Sequence, residues 1–353
     1  MQKGGYMATM KAIVRTSLEP EQMFLQDVPI PAISQDQALI RVKAVGVCGT
    51  DAHIWSGDVR TKTPVIIGHE FSGVVEKIGS QVSGVCVGDR IVSRLNINIC
   101  GRCRNCLTGN MQMCESRTSP GFWVDGAYAE YIAINAGQLI PLPDSVPFED
   151  AAVVEPMAIV AHALLQRATV EPEDVVTIYG PGPVGLIAMQ MAKVAGAAKV
   201  YMVGTDVDEP QRLPLAVKLG ADAVFNAQRC NVEEEIRKLH DGRGVDLVVE
   251  ASGSPAAINS GIHLLRRHGR MCVIGLPTKR EIMVEWLTAT EKSLALITTY
   301  SSSPWAWNTV VSMLGRGAID GRSLVSHIIP MAEYKQAFAE IAKGNVVKCV
   351  LLP

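Results

Sequence analysis

VVTIYGPGPVGLIAMQMAKVAG, residues 175–196, is the stretch whose reading decides the fold. It opens with five apolar, largely β-branched residues, Val175 to Tyr179, of strand length. It then turns through Gly180-Pro181-Gly182-Pro183-Val184-Gly185 and continues in an apolar helical pattern. A strand, G-x-G-x-x-G and a helix together make a dinucleotide-binding turn. Gly180 permits the tight turn, Gly182 lets a pyrophosphate approach the backbone, and Gly185 lets helix pack on strand. The free N–H groups at the helix start face the anion. The bland alternative is a glycine-rich structural turn. The flanking strand and helix patterns favour the cofactor site.

Outward from this motif, residues 158–296 alternate strand and helix. Val200–Val203, Asp246–Glu250 and Met271–Ile274 are further candidate parallel strands. Short apolar strands between helices imply a doubly wound parallel sheet, an α/β fold. Residues 10–157 are β-rich instead, with strand-like runs at Ala12–Val14, Ala38–Val45, Phe71–Lys77, Asp89–Val92 and Ala127–Ile134. After residue 296 come a helix from Pro304 with Ser303 as its cap and an amphipathic helix bearing Tyr334, Ala337, Phe338 and Ile341 on one face. A last strand runs from Val346 to Leu351. The expected division is 10–157, 158–296 and 297–353, the first and last parts forming one domain.

Bulk properties exclude several classes. The chain has 353 residues, 48% hydrophobic and 19% charged, with a net charge of −2. That describes a globular protein of two or three domains without a nucleic-acid footprint. No apolar run reaches the ~18 residues of a membrane span. The first ten residues lack the apolar core of a secretion signal. Met7 or Met10 is the expected native start. Nine cysteines without such a signal point to metal rather than disulfides, and to a reducing cytoplasm.

Four of those cysteines, Cys100, Cys103, Cys106 and Cys114, read C-x2-C-x2-C-x7-C. Four thiolates on a short loop suit a closed, structural zinc site. The ferredoxin run wants three residues before its fourth cysteine and a proline after it. Here seven intervene and Glu115 follows. Cys86, Cys230, Cys272 and Cys349 are scattered and read as small buried apolar residues.

A second candidate set is more dispersed: Cys48 in VGVCGTDAH, His69-Glu70 after Gly68, and Glu155-Pro156. Cysteine, histidine and carboxylate can hold zinc with a position open for substrate. No short metal motif joins these parts. Taken together, however, CGTD, GHE, the four-cysteine lobe, EP and GPGPVG occur in an order that resembles the zinc-dependent medium-chain dehydrogenases, specifically the sorbitol (polyol) dehydrogenase branch. The resemblance implies a Rossmann sheet inserted in a GroES-like β-rich catalytic domain, with the active site between the two. It implies that Cys48 and His69 ligate a catalytic zinc, joined by Glu70 or Glu155, with both glutamates in the site. Asp51 matches a carboxylate that orients the zinc histidine.

Thr50 and His53 match the family's proton-relay positions, Thr50 taking the alcohol proton and passing it through the cofactor ribose to His53. An alcohol near pKa ~15.7 cannot hand its proton directly to a histidine near ~6.5, a gap of roughly 12 kcal/mol. Zinc coordination brings the hydroxyl close to neutral pH. Trp55, Trp123 and Tyr300 fall near the substrate-lining positions. Thr299 replaces the arginine of sorbitol-type enzymes, which removes a multidentate hydroxyl anchor.

The cofactor set is Gly180, Gly182, Pro183, Val184, Gly185, Thr205, Asp206, Arg212 and Gly275. Gly204 stands where an acidic residue usually selects NAD, as in some NADP-using relatives. Asp206 and Asp208 would repel a 2′-phosphate, by about 4 kcal/mol for unit charges ~4 Å apart at a dielectric of 20. NAD is therefore expected, with NADP as the alternative. The expected activity is hydride transfer between a secondary alcohol of a polyol or sugar alcohol and NAD(P), in a cytoplasmic homotetramer or dimer with no nucleic-acid or membrane partner. The alternatives are another vicinal alcohol (a butanediol, a threonine-like amino alcohol, a sugar phosphate) or a non-catalytic dinucleotide binder.

Overall fold

The computed structural model describes residues 8–344 and 346–353, so the expected start at Met7 lies outside the described residues. The chain forms two compact units: Met1–Glu155 with Val325–Pro353, and Pro156–Leu324.

The first unit is built on two sheets. In the larger, the strands lie in the order Val325–Pro330, Lys348–Leu352, Gln37–Gly46, Glu70–Ile78, Arg90–Ser93 and Leu139–Pro141, with Tyr131–Asn135 also paired to Gln37–Gly46. The smaller places Thr9–Arg15 between Met23–Pro29 and Val65–Ile66. Apolar residues from both sheets and from helix Tyr334–Ala342 merge into one core, including Ile13, Ile40, Phe71, Tyr128 and Phe338. The strand expected over 127–134 covers only Tyr131–Asn135. Ahead of it, the amides of Ala127 and Tyr128 bond to the carbonyls of Gly68 and Ile67, each at 2.9 Å. That crossing ties Tyr128 to the segment leading into His69.

The second unit is a six-stranded, wholly parallel sheet. Its order is Ala223–Asn226, Lys199–Gly204, Val175–Tyr179, Val245–Glu250, Leu265–Val273 and Ala295–Thr298. Val175–Tyr179 is central, and four of its five residues are buried. A strand paired on both edges and covered on both faces is mostly apolar, as here with Thr177 the one buried polar side chain within it.

The boundary expected at 297 is corrected. The edge strand Ala295–Thr298 pairs through Thr298 with Val273, and helix Pro304–Gly315 stays with this unit. The side-chain amide of Gln190 donates to the Asp320 carbonyl at 3.2 Å and accepts from its N–H at 2.6 Å. The second unit therefore runs to Leu324, and the closing part of the first begins at Val325. No described helix is long and apolar enough to cross a membrane.

Candidate active site

In the first unit, three neighbouring strands bring the dispersed residues together. Gln37–Gly46 lies between Glu70–Ile78 and Lys348–Leu352, with Gly46 opposite Glu70 on one side and Val350 on the other. A methyl group on Gly46 would overlap the Glu70 carboxylate, so a glycine is required where that side chain passes. Cys48 follows two residues later as the cap of helix Gly49–Trp55. His69 follows Gly68, whose φ of +88° turns the chain before the strand starts.

Ligand atoms of Cys48, His69 and Glu70 lie within 4.8 Å of one another. His69 and Glu70 are buried, at 5% and 1% exposure. Glu70 Oε1 and His69 Nδ1 have no hydrogen-bond partner. A thiol, an imidazole and a carboxylate whose ligand atoms converge on one point, with the buried Glu70 Oε1 left unpartnered there, fit a dication. Three protein ligands would leave its fourth position for substrate.

Charges around this set are extensive. Lys348 Nζ sits 2.5 Å from Glu70 Oε2, with both groups buried. Burial opposes the lysine charge, but Glu70, Cys48 and Asp51 outweigh it and hold the ammonium above its usual pKa. Burial likewise opposes the His69 charge, and Asp51, Cys48 and Glu155 push its pKa well above the histidine norm. A metal must therefore displace a proton here, and loading weakens as pH falls. Asp51 Oδ1 lies 3.6 Å from His69 Nδ1, while Oδ2 accepts the Cys48 N–H and the Tyr128 hydroxyl, each at 2.9 Å.

The other sequence-predicted residues distribute as follows. Glu155, in the first turn of helix Val154–Ala161, is buried, and burial pushes its carboxyl up to about 7. It feels His69, Glu70, Lys348 and Arg117 but stands outside the converging set, which holds Glu70. Thr50 Oγ1 accepts from the Cys48 thiol at 3.6 Å. His53 is exposed on the same short helix, 3.6 Å from the Asp58 carboxylate. Trp55 stacks on Phe338, ring centroids 5.2 Å apart, and meets Tyr334 edge-on, so its ring is committed to domain packing. Trp123 is half exposed, and Tyr300, also exposed, belongs to the second unit. Sequence reasoning missed Lys348 and Tyr128. A lysine inside the apolar run VVKCVLL was the available signal for the first. Nothing marked the second.

The four-cysteine lobe is assembled in the first unit. Its sulfur atoms are 3.5 Å apart for Cys103–Cys106, 3.6 Å for Cys100–Cys114 and 4.0 Å for Cys100–Cys106. A tetrahedron with ~2.3 Å zinc–sulfur arms has edges of ~3.8 Å. The backbone N–H groups of Arg102 and Cys103 bring the Cys100 thiol down to about 6. Burial and the neighbouring thiols raise Cys106 to about 12. Such a divided set loses its remaining protons when a cation enters.

The second unit carries the nucleotide turn. Gly180 has a φ of +97°, and Gly182 caps helix Pro183–Val194 with open space where a Cβ would project. A Cβ on Gly185 would overlap the Gly180 carbonyl oxygen. The turn borders a cleft of about 600 Å³ lined by Gly180, Gly182, Gly204, Thr205, Asp208 and Arg212, among others. Pro183 and Val184 form the first turn of the helix, outside the lining, and Gly275 lies behind it against Glu250 and the Gly253 amide. Asp206 also lies outside the lining, bonded to Asn226 at 2.7 Å and to Arg229 at 2.9 Å. Asp208 pairs with Arg212 at 3.0 Å. The repulsion expected of these two acids is thus offset by an arginine on each.

Residues 34–144 match the family described as alcohol dehydrogenase GroES-like domain, and residues 183–316 match zinc-binding dehydrogenase. D-arabitol-phosphate dehydrogenase of Enterococcus avium is 33% identical over 97% of each chain. The chain belongs to the zinc-dependent medium-chain alcohol dehydrogenases. Sorbitol dehydrogenase of Halalkalibacterium halodurans is 34% identical over 98% of this chain and 99% of its own, placing this dehydrogenase beside the polyol branch. A zinc-binding dehydrogenase from Sinorhizobium meliloti, solved with NADP bound, superposes with a TM-score of 0.91 at 28% identity, covering 98% of this chain and all of its own. This is an NAD(P)-dependent alcohol dehydrogenase that uses zinc.

Proposed function

We propose that this dehydrogenase interconverts a secondary hydroxyl of a polyol or sugar alcohol with the corresponding ketone. The observation that carries the reading is the ligand set itself: a thiol, an imidazole and a carboxylate in a chain similar over its whole length to enzymes named for arabitol phosphate and sorbitol. Cys48, His69 and Glu70 would hold the catalytic zinc, with Glu155 beside them as a second carboxylate able to take Glu70's place, and the four cysteines would hold a structural zinc. Zinc, when bound, supplies the Lewis acidity that makes the substrate hydroxyl acidic near neutral pH. Thr50 Oγ1 would accept the alcohol proton as its own hydroxyl proton is passed on, and His53, facing solvent, would release the relayed proton. Trp123, half exposed in the same unit as the ligand set, contributes to substrate recognition. A non-catalytic dinucleotide binder would not need Cys48, His69, Glu70 and Glu155 all retained.

NAD⁺ is the proposed cofactor, since the pairing with Arg212 reduces but does not remove the negative charge that Asp208 brings to the cleft wall. Arg212 in the same wall favours NADP⁺ as the second reading. Cytoplasmic residence is supported by nine unpaired cysteines. Self-association as a dimer or tetramer is supported by Met283, Trp286 and Leu287, which are 87%, 68% and 71% exposed on the second unit. The test is a screen of polyols, polyol phosphates, butanediols and threonine with each nicotinamide cofactor, followed at the reduced-nicotinamide absorbance. Highest kcat/KM on a polyol or its phosphate supports the reading. Highest kcat/KM on threonine or a butanediol overturns it.

A further inference from the structure

Tyr128 is fully buried, and it holds the approach to His69 in three ways. Its amide bonds to the Ile67 carbonyl at 2.9 Å. Its ring fills the space where a side chain on Gly68 would project, so His69 enters from a backbone position fixed against that ring. Its hydroxyl donates to Asp51 Oδ2 at 2.9 Å. Together with the Cys48 N–H on the same oxygen, this bond fixes the carboxylate so that Oδ1 faces His69 Nδ1. At 3.6 Å the Asp51 carboxylate is too far to accept a hydrogen bond from Nδ1, but its negative charge facing that nitrogen favours the proton there and leaves the Nε2 lone pair for a metal.

We propose that Tyr128 is a positioning residue for the catalytic zinc: acting through Asp51, its hydroxyl sets the tautomer and orientation of His69. The inference rests on His69 being a zinc ligand. It adds a donor two steps removed from the metal to the ligand set already described. Losing an outer partner of a ligating histidine typically costs 10–100-fold in metal affinity. Tyr128→Phe removes only the hydroxyl and keeps the ring against Gly68.

The experiment is zinc release to the chromophoric chelator 4-(2-pyridylazo)resorcinol from the fully loaded protein, in wild type, Tyr128→Phe, Asp51→Asn and the double variant. The four-cysteine zinc, removable by Cys103→Ser, serves as the internal control. Tyr128→Phe is expected to release the catalytic zinc faster by up to about 10-fold, the low end for losing a direct partner of a ligating histidine, with the four-cysteine zinc unchanged. In the Asp51→Asn background the same substitution is expected to add nothing, because its effect passes through that carboxylate. Wild-type release kinetics in Tyr128→Phe overturn the proposal. So does an equal acceleration in both backgrounds, which would make the effect one of packing. Should Tyr128→Phe fail to fold, 3-fluorotyrosine at 128, a stronger donor of nearly the same shape, is expected to slow release, and unchanged release overturns the proposal. A wild type that binds one zinc per chain instead of two would sink the His69 reading itself, a result separate from either of these.

Discussion

Replacing Lys348 by methionine tests the electrostatics of the site directly. The substitution keeps an unbranched side chain but removes the ammonium 2.5 Å from Glu70 Oε2, leaving a carboxylate that is 1% exposed without its cation. Two unit charges at that separation attract by roughly 7 kcal/mol at an effective dielectric of ~20. The desolvation that the lysine no longer suffers offsets part of this. Breaking one side of a buried pair costs about 3–5 kcal/mol, and that is the loss expected in urea unfolding of chelator-treated Lys348→Met. Adding Glu70→Gln should recover most of it, because the pair then disappears instead of being halved. Zinc reverses the balance. With no lysine competing for Glu70, zinc should stabilise Lys348→Met by more than it stabilises wild type, since whatever binds only the folded state adds its binding energy to stability. A loss below about 1 kcal/mol in the metal-free protein, a range typical of exposed pairs, would refute the reasoning. Equal stabilisation of the two proteins by zinc would do the same.

Other expectations follow from single contacts. Gly185→Ala puts a methyl group into the Gly180 carbonyl and should weaken NAD(H) and NADP(H) binding at least about tenfold, ~1.4 kcal/mol, in a fluorescence titration; unchanged affinity would show the turn to be compliant. Cys103→Ser should lower the metal content from two zinc per chain to one in atomic emission, because three thiolates no longer close the tetrahedron. Asp222 accepts the Val200 N–H at 2.8 Å and pairs with Lys193 and Lys199. Burial works against its charge, but these partners prevail and depress its pKa. Its contribution should thus be full above the unfolded value, ~3.9, and vanish as pH falls through the depressed folded value. Asp222→Asn should cost about 1–3 kcal/mol at pH 7 and nothing in strong acid. A loss that persists at low pH would mean that the charge is irrelevant.

The amino-acid order alone determined the features whose parts are adjacent. The nucleotide turn was legible because strand, glycines and helix follow one another from Val175 to Gly196. The four-cysteine site was legible because all of its ligands fall between residues 100 and 114. Cys48, His69 and the glutamates were named only as members of a familiar set, since nothing local links them. Sheet pairing decided the rest. Gly46 lies opposite Glu70 and beside the strand that begins at Lys348, so a carboxylate and an ammonium far apart along the chain end up 2.5 Å apart. The same placement puts Glu70 in the converging set and leaves Glu155 beside it, a choice two equivalent carboxyl groups in a sequence cannot express. In the second unit the short 3-10 turn Asp206–Asp208 separates the two acids, one paired with Arg229 and the other in the cleft wall. Local patterns encode backbone conformation and closely spaced ligands. Which distant charges share one buried, low-dielectric point depends on strand register, and register exists only in the folded chain.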